Sequence, residues 1–350
     1  MENQTDIKIA VHIVAWNCMG YLPSMLETLE KQTVPHRITI VDNASNDGTI
    51  NWVTGHFPQV GTLRNMRNYG FARAHNQAIA LALASWQDMD LAHRYILVAN
   101  ADIELDDHCL ARLFDFMEAH PEVDACVPKL LRAHLKFTDA DNKATVRTNI
   151  LDATGMCVSR SLRPYERGAG EEDKGQYDLA PDVFGASGAL VLYRASSVQR
   201  VSLDQPFYDE DFFAYQEDLD VSWRMRHLGM RTAYVPQAMA WHHRRVPSLA
   251  EDSWLKAWLR RRARPGFINY LSTRNHCWAL IKNLTGKELW HSLLWLVPYE
   301  ILKLLASILS WSQIRGYASA LVGMGKMWRK RKKFMKSIQA PFKDLSAWFM

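Results

Sequence analysis

No two cysteines in this chain lie close together. The five present (Cys18, Cys109, Cys126, Cys157 and Cys277) are odd in number and scattered, which argues against a disulfide framework or a zinc site and fits a reducing cytoplasm. The polar start, Met1 to Asp6, has no basic segment leading into an apolar core, so no secretory signal is expected. No apolar run reaches the roughly 20 residues that span a bilayer. The nearest candidate, Trp290 to Trp311, is interrupted by Glu300 and Lys303. Asn17-Cys18-Met19-Gly20 holds a single glycine, which speaks against a glycine-rich phosphate loop and the nucleotidyl transfer it would serve. Internal repeats and low-complexity tracts are also missing.

What is present is an ordinary globular composition, 48% hydrophobic and 23% charged over 350 residues. That suffices for one large α/β domain and a smaller appendage. The net charge of +5 is local. Residues 326–336 hold Lys326, Arg329, Lys330, Arg331, Lys332, Lys333 and Lys336 with no acid, and without these seven the remainder stands at −2. The main body is therefore not a polyanion binder.

The N-terminal half alternates strand and helix patterns. Ile9 to Trp16 reads as a strand, and Leu22, Met25, Leu26 and Leu29 recur at helical spacing. Ile38 to Val41 is a short β-branched run stopped by the polar string Asp42 to Gly48, which carries a helix-start signal. A weak strand at Thr62 to Asn65, an alanine-rich helix at Ala72 to Ser85, a strand at Tyr95 to Ala99 and a helix at Leu110 to His120 follow. This order predicts a mostly parallel, doubly wound sheet. Residues 133 to 182 break the rhythm, and Arg163 to Asp178 reads as a mobile loop. Strands resume at Ala189 to Tyr193 and Thr232 to Val235.

Two acidic sites stand out. Asn100-Ala101-Asp102 closes an apolar strand, where open α/β sheets bind ligands. A carboxylate there suits a divalent ion and a diphosphate. Far downstream, Glu217-Asp218-Leu219-Asp220 offers a second carboxylate that can take a proton from an attacking hydroxyl. Two acidic sites with different jobs suggest group transfer from a nucleotide donor.

The motifs Val14-Ala15-Trp16-Asn17, Val41-Asp42-Asn43-Ala44-Ser45-Asn46-Asp47-Gly48-Thr49, Asn68-Tyr69-Gly70-Phe71-Ala72, Asn100-Ala101-Asp102, Gly185-Ala186-Ser187-Gly188-Ala189 and Glu217-Asp218-Leu219-Asp220 with Arg224 appear in this order. His242 and Arg274-Asn275 complete the set. With them the chain resembles the family 2 inverting glycosyltransferases of the GT-A fold, in particular the bacterial rhamnosyltransferase-like branch. The resemblance covers roughly residues 8 to 285. It implies a GT-A, Rossmann-like sheet flanked by helices over residues 1–245 and a helical C-terminal extension over 246–350. It implies a donor site made by Ala15, Asn17, Asp42, Asn68, Gly70, Asn76, Asn100 and Asp102, with Asp42 on the imide N–H of a uracil or thymine. Where many relatives carry Arg, this chain has His75, with Arg73 as the nearby charge. Asp102 is implied as ligand of Mg²⁺ or Mn²⁺, with His242 as a further contact and His243 beside it left open. Glu104, two residues past Asp102, reads as a solvated loop residue. Asp218 is implied as general base, Glu217 as a partner that orients the acceptor, and Ser187 and Gly188 as the floor where donor sugar and acceptor meet.

The C-terminal third reads as built for a surface. Glu300, Lys303, Ser307 and Ser310 form a narrow polar stripe on an apolar helix that Pro298 should kink. Trp254, Leu255, Trp258 and Leu259 precede Arg260-Arg261-Arg262, and Trp328 sits in the terminal basic patch. Aromatics beside bases favour the headgroup region of an anionic membrane. No nucleic-acid-binding signature accompanies the patch.

The expected activity is transfer of a single sugar, with rhamnose slightly preferred, from a dTDP- or UDP-linked donor to a hydroxyl of a lipid-linked or cell-surface glycan. The expected place is the inner face of the cytoplasmic membrane. A processive polysaccharide synthase is the nearest alternative. Such relatives carry Gln-x-x-Arg-Trp and true spanning helices, and both are missing here. A non-enzymatic membrane adaptor would leave Asp102 and Asp218 without purpose.

Overall fold

The computed structural model describes residues 7–137, 143–244, 264–308, 310–337 and 345–350. The run Trp254 to Arg262 lies outside the described residues. The N-terminal half contains β1 (Ile9–Ala15), α1 (Leu22–Glu30), β2 (His36–Asp42), α2 (Thr49–His56), β3 (Gly61–Arg64), α3 (Gly70–Ser85), β4 (Tyr95–Asn100), β5 (Ile103–Leu105) and α4 (Cys109–Ala119). Then come β6 (Ala125–Phe137), β7 (Lys143–Ala153), β8 (Met156–Val158), β9 (Pro164–Glu166), β10 (Asp182–Val183), β11 (Leu190–Arg194), α5 (Ala195–Val201), α6 (Glu217–His227) and β12 (Thr232–His242). Three long helices follow: α7 (Gly266–Asn283), α8 (Gly286–Ser307) and α9 (Trp311–Ser337).

Ten strands form one sheet in the order β10-β12-β6-β11-β4-β1-β2-β3, with β5 on β12 and β7 on β6. β1, β2, β3, β4, β6 and β12 share a direction; β11 enters antiparallel between β4 and β6. Alternate residues of the central strands serve opposite faces, as strand geometry requires. Ile9, Val11, Ile13, Leu97 and Ala99 pack with α1 and α4; Ala10, Ile96 and Val98 pack with α3 and α5. A sheet buried on both sides by crossover helices is the doubly wound arrangement that the alternation predicts.

Residues 133 to 182 depart from the sequence reading. They continue the sheet through β6 and β7, whose alternating charged residues hide their strand character. Arg163 to Asp178 is pinned rather than loose: Arg167 donates to Thr154 O and Ala180 O at 2.9 and 2.8 Å, and Lys129 Nζ pairs with Asp173 and Asp178 at 3.0 and 3.1 Å.

The C-terminal helices are not a detached appendage. α7 lies under α6, and its Asn275, Lys282 and Asn283 are fully buried. α9 presses onto α7, and Gly323 permits it, since a Cβ there would stand 2.4 Å from the Trp278 ring. α8 starts with a Thr285–Glu288 capping box and continues through Pro298. Among the described residues, no helix is long and apolar enough to cross a membrane.

Candidate active site

The C-terminal ends of β1, β2 and β4 gather the residues expected on the nucleotide side: Ala15, Asn17, Asp42 and Asn100. Asp42 is fully buried at the end of β2. Its Oδ1 accepts from Ser45 N at 3.1 Å, and Arg64 Nε stands 3.6 Å from its Oδ2, which accepts no hydrogen bond. An orphaned buried carboxylate oxygen is costly unless a ligand supplies a donor. The loop after β1 is locked to the loop after β2: Asn17 N donates to Ser45 Oγ, Asn17 Oδ1 accepts from Asn46 N, and Ala15 O accepts from Asn43 N. Asn100 N donates to Ala189 O at 2.9 Å, which fixes the strand end that carries Asp102.

The residues at the start of α3 have duties inside the protein. Asn68 Oδ1 accepts from Gly70 N at 2.8 Å. Gly70 has φ +83°, and a Cβ on it would lie 2.4 Å from Phe213 O, so the close approach is made by the protein's own backbone. Asn76 is spent on Tyr208, donating to its carbonyl and accepting from its N–H at 2.8 and 3.0 Å. This end of α3 packs on residues 208–213. His75 cannot replace an Arg charge. Burial, then the neighbouring His12, hold its pKa well below the ordinary value, and it lies 4.2 Å from the Phe71 ring. Arg73 instead stacks on Tyr69.

Asp102 and His242 meet across the sheet. His242 Nε2 is 3.4 Å from Asp102 Oδ1, and its Nδ1 is 2.8 Å from Asp152 Oδ2. Arg244 Nε holds Asp152 at 2.7 Å. Burial disfavours a charged imidazole, but Asp102 and Asp152 outweigh it and raise the pKa of His242 to about 9. His243 is occupied elsewhere, with Nε2 2.8 Å from Glu104 Oε1. Glu104 is also not the solvated residue the sequence suggested: it is 4% exposed and bonded to Thr145 and Arg147.

This pair fits a divalent cation. An oxygen and a nitrogen about 3.4 Å apart are spaced as neighbouring ligands on one small ion, and the carboxylate behind Nδ1 is the usual support for a ligating histidine. Among the described residues, no cluster of three or more acidic, histidine or cysteine side chains forms a full cage. Two protein ligands plus substrate phosphates suit a Mg²⁺-like ion.

Asp218 is the second residue of α6, behind a loop in which Phe213, Tyr215 and Gln216 have φ between 67° and 71°. Such left-handed non-glycine residues are costly and gather at functional sites. Asp218 Oδ2 accepts from Gly188 N at 3.3 Å and Oδ1 from Leu219 N at 2.8 Å. Burial raises its pKa, and these backbone donors oppose the rise. Burial, then the charge of Asp218, push Glu217 well above the usual carboxylate range. Asp218 lines a cavity of about 320 Å³ that also touches Arg163, Glu166, Arg244, Tyr299 and Lys303. Glu217 is not among its lining residues, so the two neighbouring acids face different surroundings. Ser187 precedes the Gly188 N–H that holds Asp218, which places the small-residue turn beside Asp218.

Three residues escaped the sequence reading: Asp152, Glu166 and Arg244. The one signal was a carboxylate inside the apolar run Ile150-Leu151-Asp152-Ala153. Burial raises Glu166 to about 7, against the pull of Arg244. Arg274 and Asn275, in contrast, gain a clear role. Asn275 Nδ2 lies within 2.9 Å of the carbonyls of Phe212, Ala214 and Tyr215, and Arg274 donates to Asp211 O and Phe212 O. They hold the strained loop that presents Asp218.

Comparison with known proteins bears on the family and the fold. The chain is 27% identical over 256 residues to N-acetylglucosaminyl-diphospho-decaprenol L-rhamnosyltransferase of Mycobacterium tuberculosis, in two strains, covering 69% of this chain and 77% of that protein. A solved structure of GalNAc-T7 with UDP, GalNAc and Mn²⁺ shares the fold with TM-score 0.59 at 14% identity, covering 96% of this chain and 57% of that one. Residues 10–201, more than half of the chain, match the family model "Glycosyl transferase family 2", and the protein belongs to that family of glycosyltransferases.

Proposed function

We propose that this glycosyltransferase moves one sugar from a dTDP- or UDP-linked donor to a hydroxyl of a lipid-linked glycan, with inversion. The mycobacterial relative, a rhamnosyltransferase by name with a lipid diphosphate acceptor, supports rhamnose as the sugar. Asp42 receives the base, Asn100 faces the ribose, and Asp102 with His242 would hold a Mg²⁺ or Mn²⁺ ion. The ion supplies charge stabilisation to the leaving diphosphate. Asp218 takes the acceptor hydroxyl proton as the new bond from oxygen to the anomeric carbon forms. The bond to the nucleotide phosphate breaks, and the nucleoside diphosphate leaves with the electron pair. Inversion follows from a single displacement with the base and the leaving group on opposite sides.

The observation that carries this reading is the placement of Asp218. It lines a cavity, is braced by Gly188 N–H, and is distinct from the Asp102–His242 pair. Asp218→Asn should lower turnover by about 10²–10⁴-fold while UDP binding with Mn²⁺ stays within about twofold. Calorimetry and product assays decide it, and near-normal turnover would remove Asp218 as the base.

The apolar outer face of α8 supports association with an anionic membrane surface. Trp290 and Leu294 are 77% and 83% exposed there, with Ile301, Leu302 and Leu305 also open. Cysteines that form no disulfide among the described residues support the cytoplasmic side.

A further inference from the structure

The cavity beside Asp218 has walls that a hydroxyl acceptor alone does not explain. Arg163 approaches from the turn before β9, Asp218 from the start of α6, and Tyr299 with Lys303 from α8. Arg244 and Arg264 complete four basic side chains on its lining, against two carboxyls, those of Asp218 and Glu166. Asp42, Asn100 and Asp102 do not line it, so it lies on the acceptor side of the base. A basic surplus enclosed next to a catalytic carboxylate favours a ligand that brings its own negative charge.

Arg244 and Lys303 also have partners within the protein, Asp152 at 2.7 Å and Glu300 at 3.1 Å. Arg163 shows no ion pair among the described residues, which leaves its guanidinium available to a bidentate acid. The volume, about 320 Å³, is at the low end for small-molecule sites. It accommodates a sugar and an anionic group, but no long hydrocarbon chain.

α8 supplies the missing apolar track. Trp295, Tyr299 and Lys303 are spaced four apart and share one helix face. Tyr299 and Lys303 reach the cavity, whereas Trp295 is about half exposed with Arg160 stacked over its ring. Beyond it lies the open surface with Trp290 and Leu294. A single helix thus joins a basic cavity to an apolar outer face.

We infer that this cavity binds a lipid diphosphate-linked sugar, with its hydroxyl at Asp218, its diphosphate against Arg163 and Lys303, and its hydrocarbon chain along the Trp295 side of α8. The assignment rests on the proposed transfer to a lipid-linked glycan and adds where the diphosphate and the lipid bind. It also gives the C-terminal helices a part in the acceptor site, beyond attachment to a surface.

The test uses farnesyl diphosphate, a short lipid diphosphate without sugar, titrated calorimetrically into full-length protein saturated with UDP and Mn²⁺. Saturation keeps the probe's phosphates out of the donor site. Binding should weaken at least about tenfold in Arg163→Gln/Lys303→Gln, because each charge-assisted hydrogen bond lost is worth a tenfold step or more. UDP affinity should be unchanged. Inorganic diphosphate should bind at least about tenfold more weakly than the farnesyl compound, and Trp295→Ala, at an exposed position, should erase most of that difference.

No binding of the probe, equal binding by the charge variant, or equal affinity for inorganic diphosphate would overturn the assignment. Thermal melts check that the variants remain folded, and Trp295→Ala alone still judges the lipid track if the double variant does not fold. The donor reading is scored separately by the UDP titration. If UDP fails to bind, that reading falls, while the farnesyl diphosphate series still decides the cavity.

Discussion

Burial pushes the carboxyls of Glu217 and Asp218 upward in pKa, but only Asp218 gains donors from other residues, Leu219 and Gly188. Asp218 therefore ionises first, and its charge then helps keep Glu217 protonated. A neutral Glu217 resembles glutamine in shape and hydrogen-bonding, so Glu217→Gln should retain turnover within about tenfold, unlike Asp218→Asn. Stability supplies a second readout. An acid whose folded pKa lies above its unfolded value binds more protons when folded. The stability it contributes is complete below the ordinary glutamate range and is lost as pH rises through the folded pKa. The amide introduced by Glu217→Gln cannot ionise, so the variant should melt higher than wild type at about pH 8 and show little advantage at about pH 4. A melting difference that ignores pH, or a turnover loss equal to that of Asp218→Asn, would refute this division of roles. The same scale shows what sequence could and could not reveal. A carboxylate pair before a helix was legible as chemistry, whereas the choice between His242 and His243 was not. Adjacent residues at a strand end point to opposite faces, so the register of β12 decides which one meets Asp102.

Among the elements, α7 connects the C-terminal region to the chemistry. Lys282 Nζ joins Asp209 and Asp220 at 2.7 and 2.8 Å, and Asn283 donates to Asp220, all in the interior. Burial alone would raise Asp209, but Lys282 and Lys330 pull it below the usual carboxylate range. Asn275, on the same helix, bonds the loop that carries three left-handed residues ahead of Asp218. Asn275→Ala should leave these carbonyls short of a donor and cost about 1–3 kcal/mol of stability. The loop would relax, so turnover should fall while UDP binding, proposed at Asp42 and Asn100, is kept. Equal losses in both, or in neither, would show that the helix does not position the base. The strand–helix alternation up to α4 was legible because each central strand is apolar on both faces and each helix has one apolar stripe. β6 and β7 were not, since charged residues such as Arg132 and Arg147 interrupt them and find their acids only in the folded chain. Asn275 was readable as part of a motif, but its partners lie about 60 positions away and no spacing rule reaches them.

For the whole molecule, the proposed membrane association turns on which surface supplies it and by what force. The seven basic residues of 326–336 suggested a strong electrostatic contribution, about 1 kcal/mol each near anionic lipid. The fold spends several of them internally. Lys326 pairs with Asp211 at 2.6 Å, Lys330 with Asp209 and Asp211, and Arg331 donates to the carbonyls of Ile281 and Lys282. Lys333 is bonded to Asp204 O. Arg329, Lys332 and Lys336 remain exposed without an ion pair among the described residues, so this patch offers about 3 kcal/mol rather than about 7. The apolar face of α8 must then dominate, since fully burying a single large apolar side chain contributes about 1.5–3 kcal/mol. Flotation with anionic vesicles should therefore survive a rise from about 0.05 to about 0.5 M salt with only partial loss, because screening acts on the charges and not on the insertion. Trp290→Glu/Leu294→Glu should abolish flotation at either salt concentration, and these outward side chains can change without disturbing the core. The variant should keep transfer to a soluble acceptor mimic and lose it with a lipid-linked acceptor in vesicles. Complete release of the wild-type protein by salt would assign attachment to the basic residues instead. Flotation of the variant at wild-type levels would mean that α8 presents its apolar face to another protein.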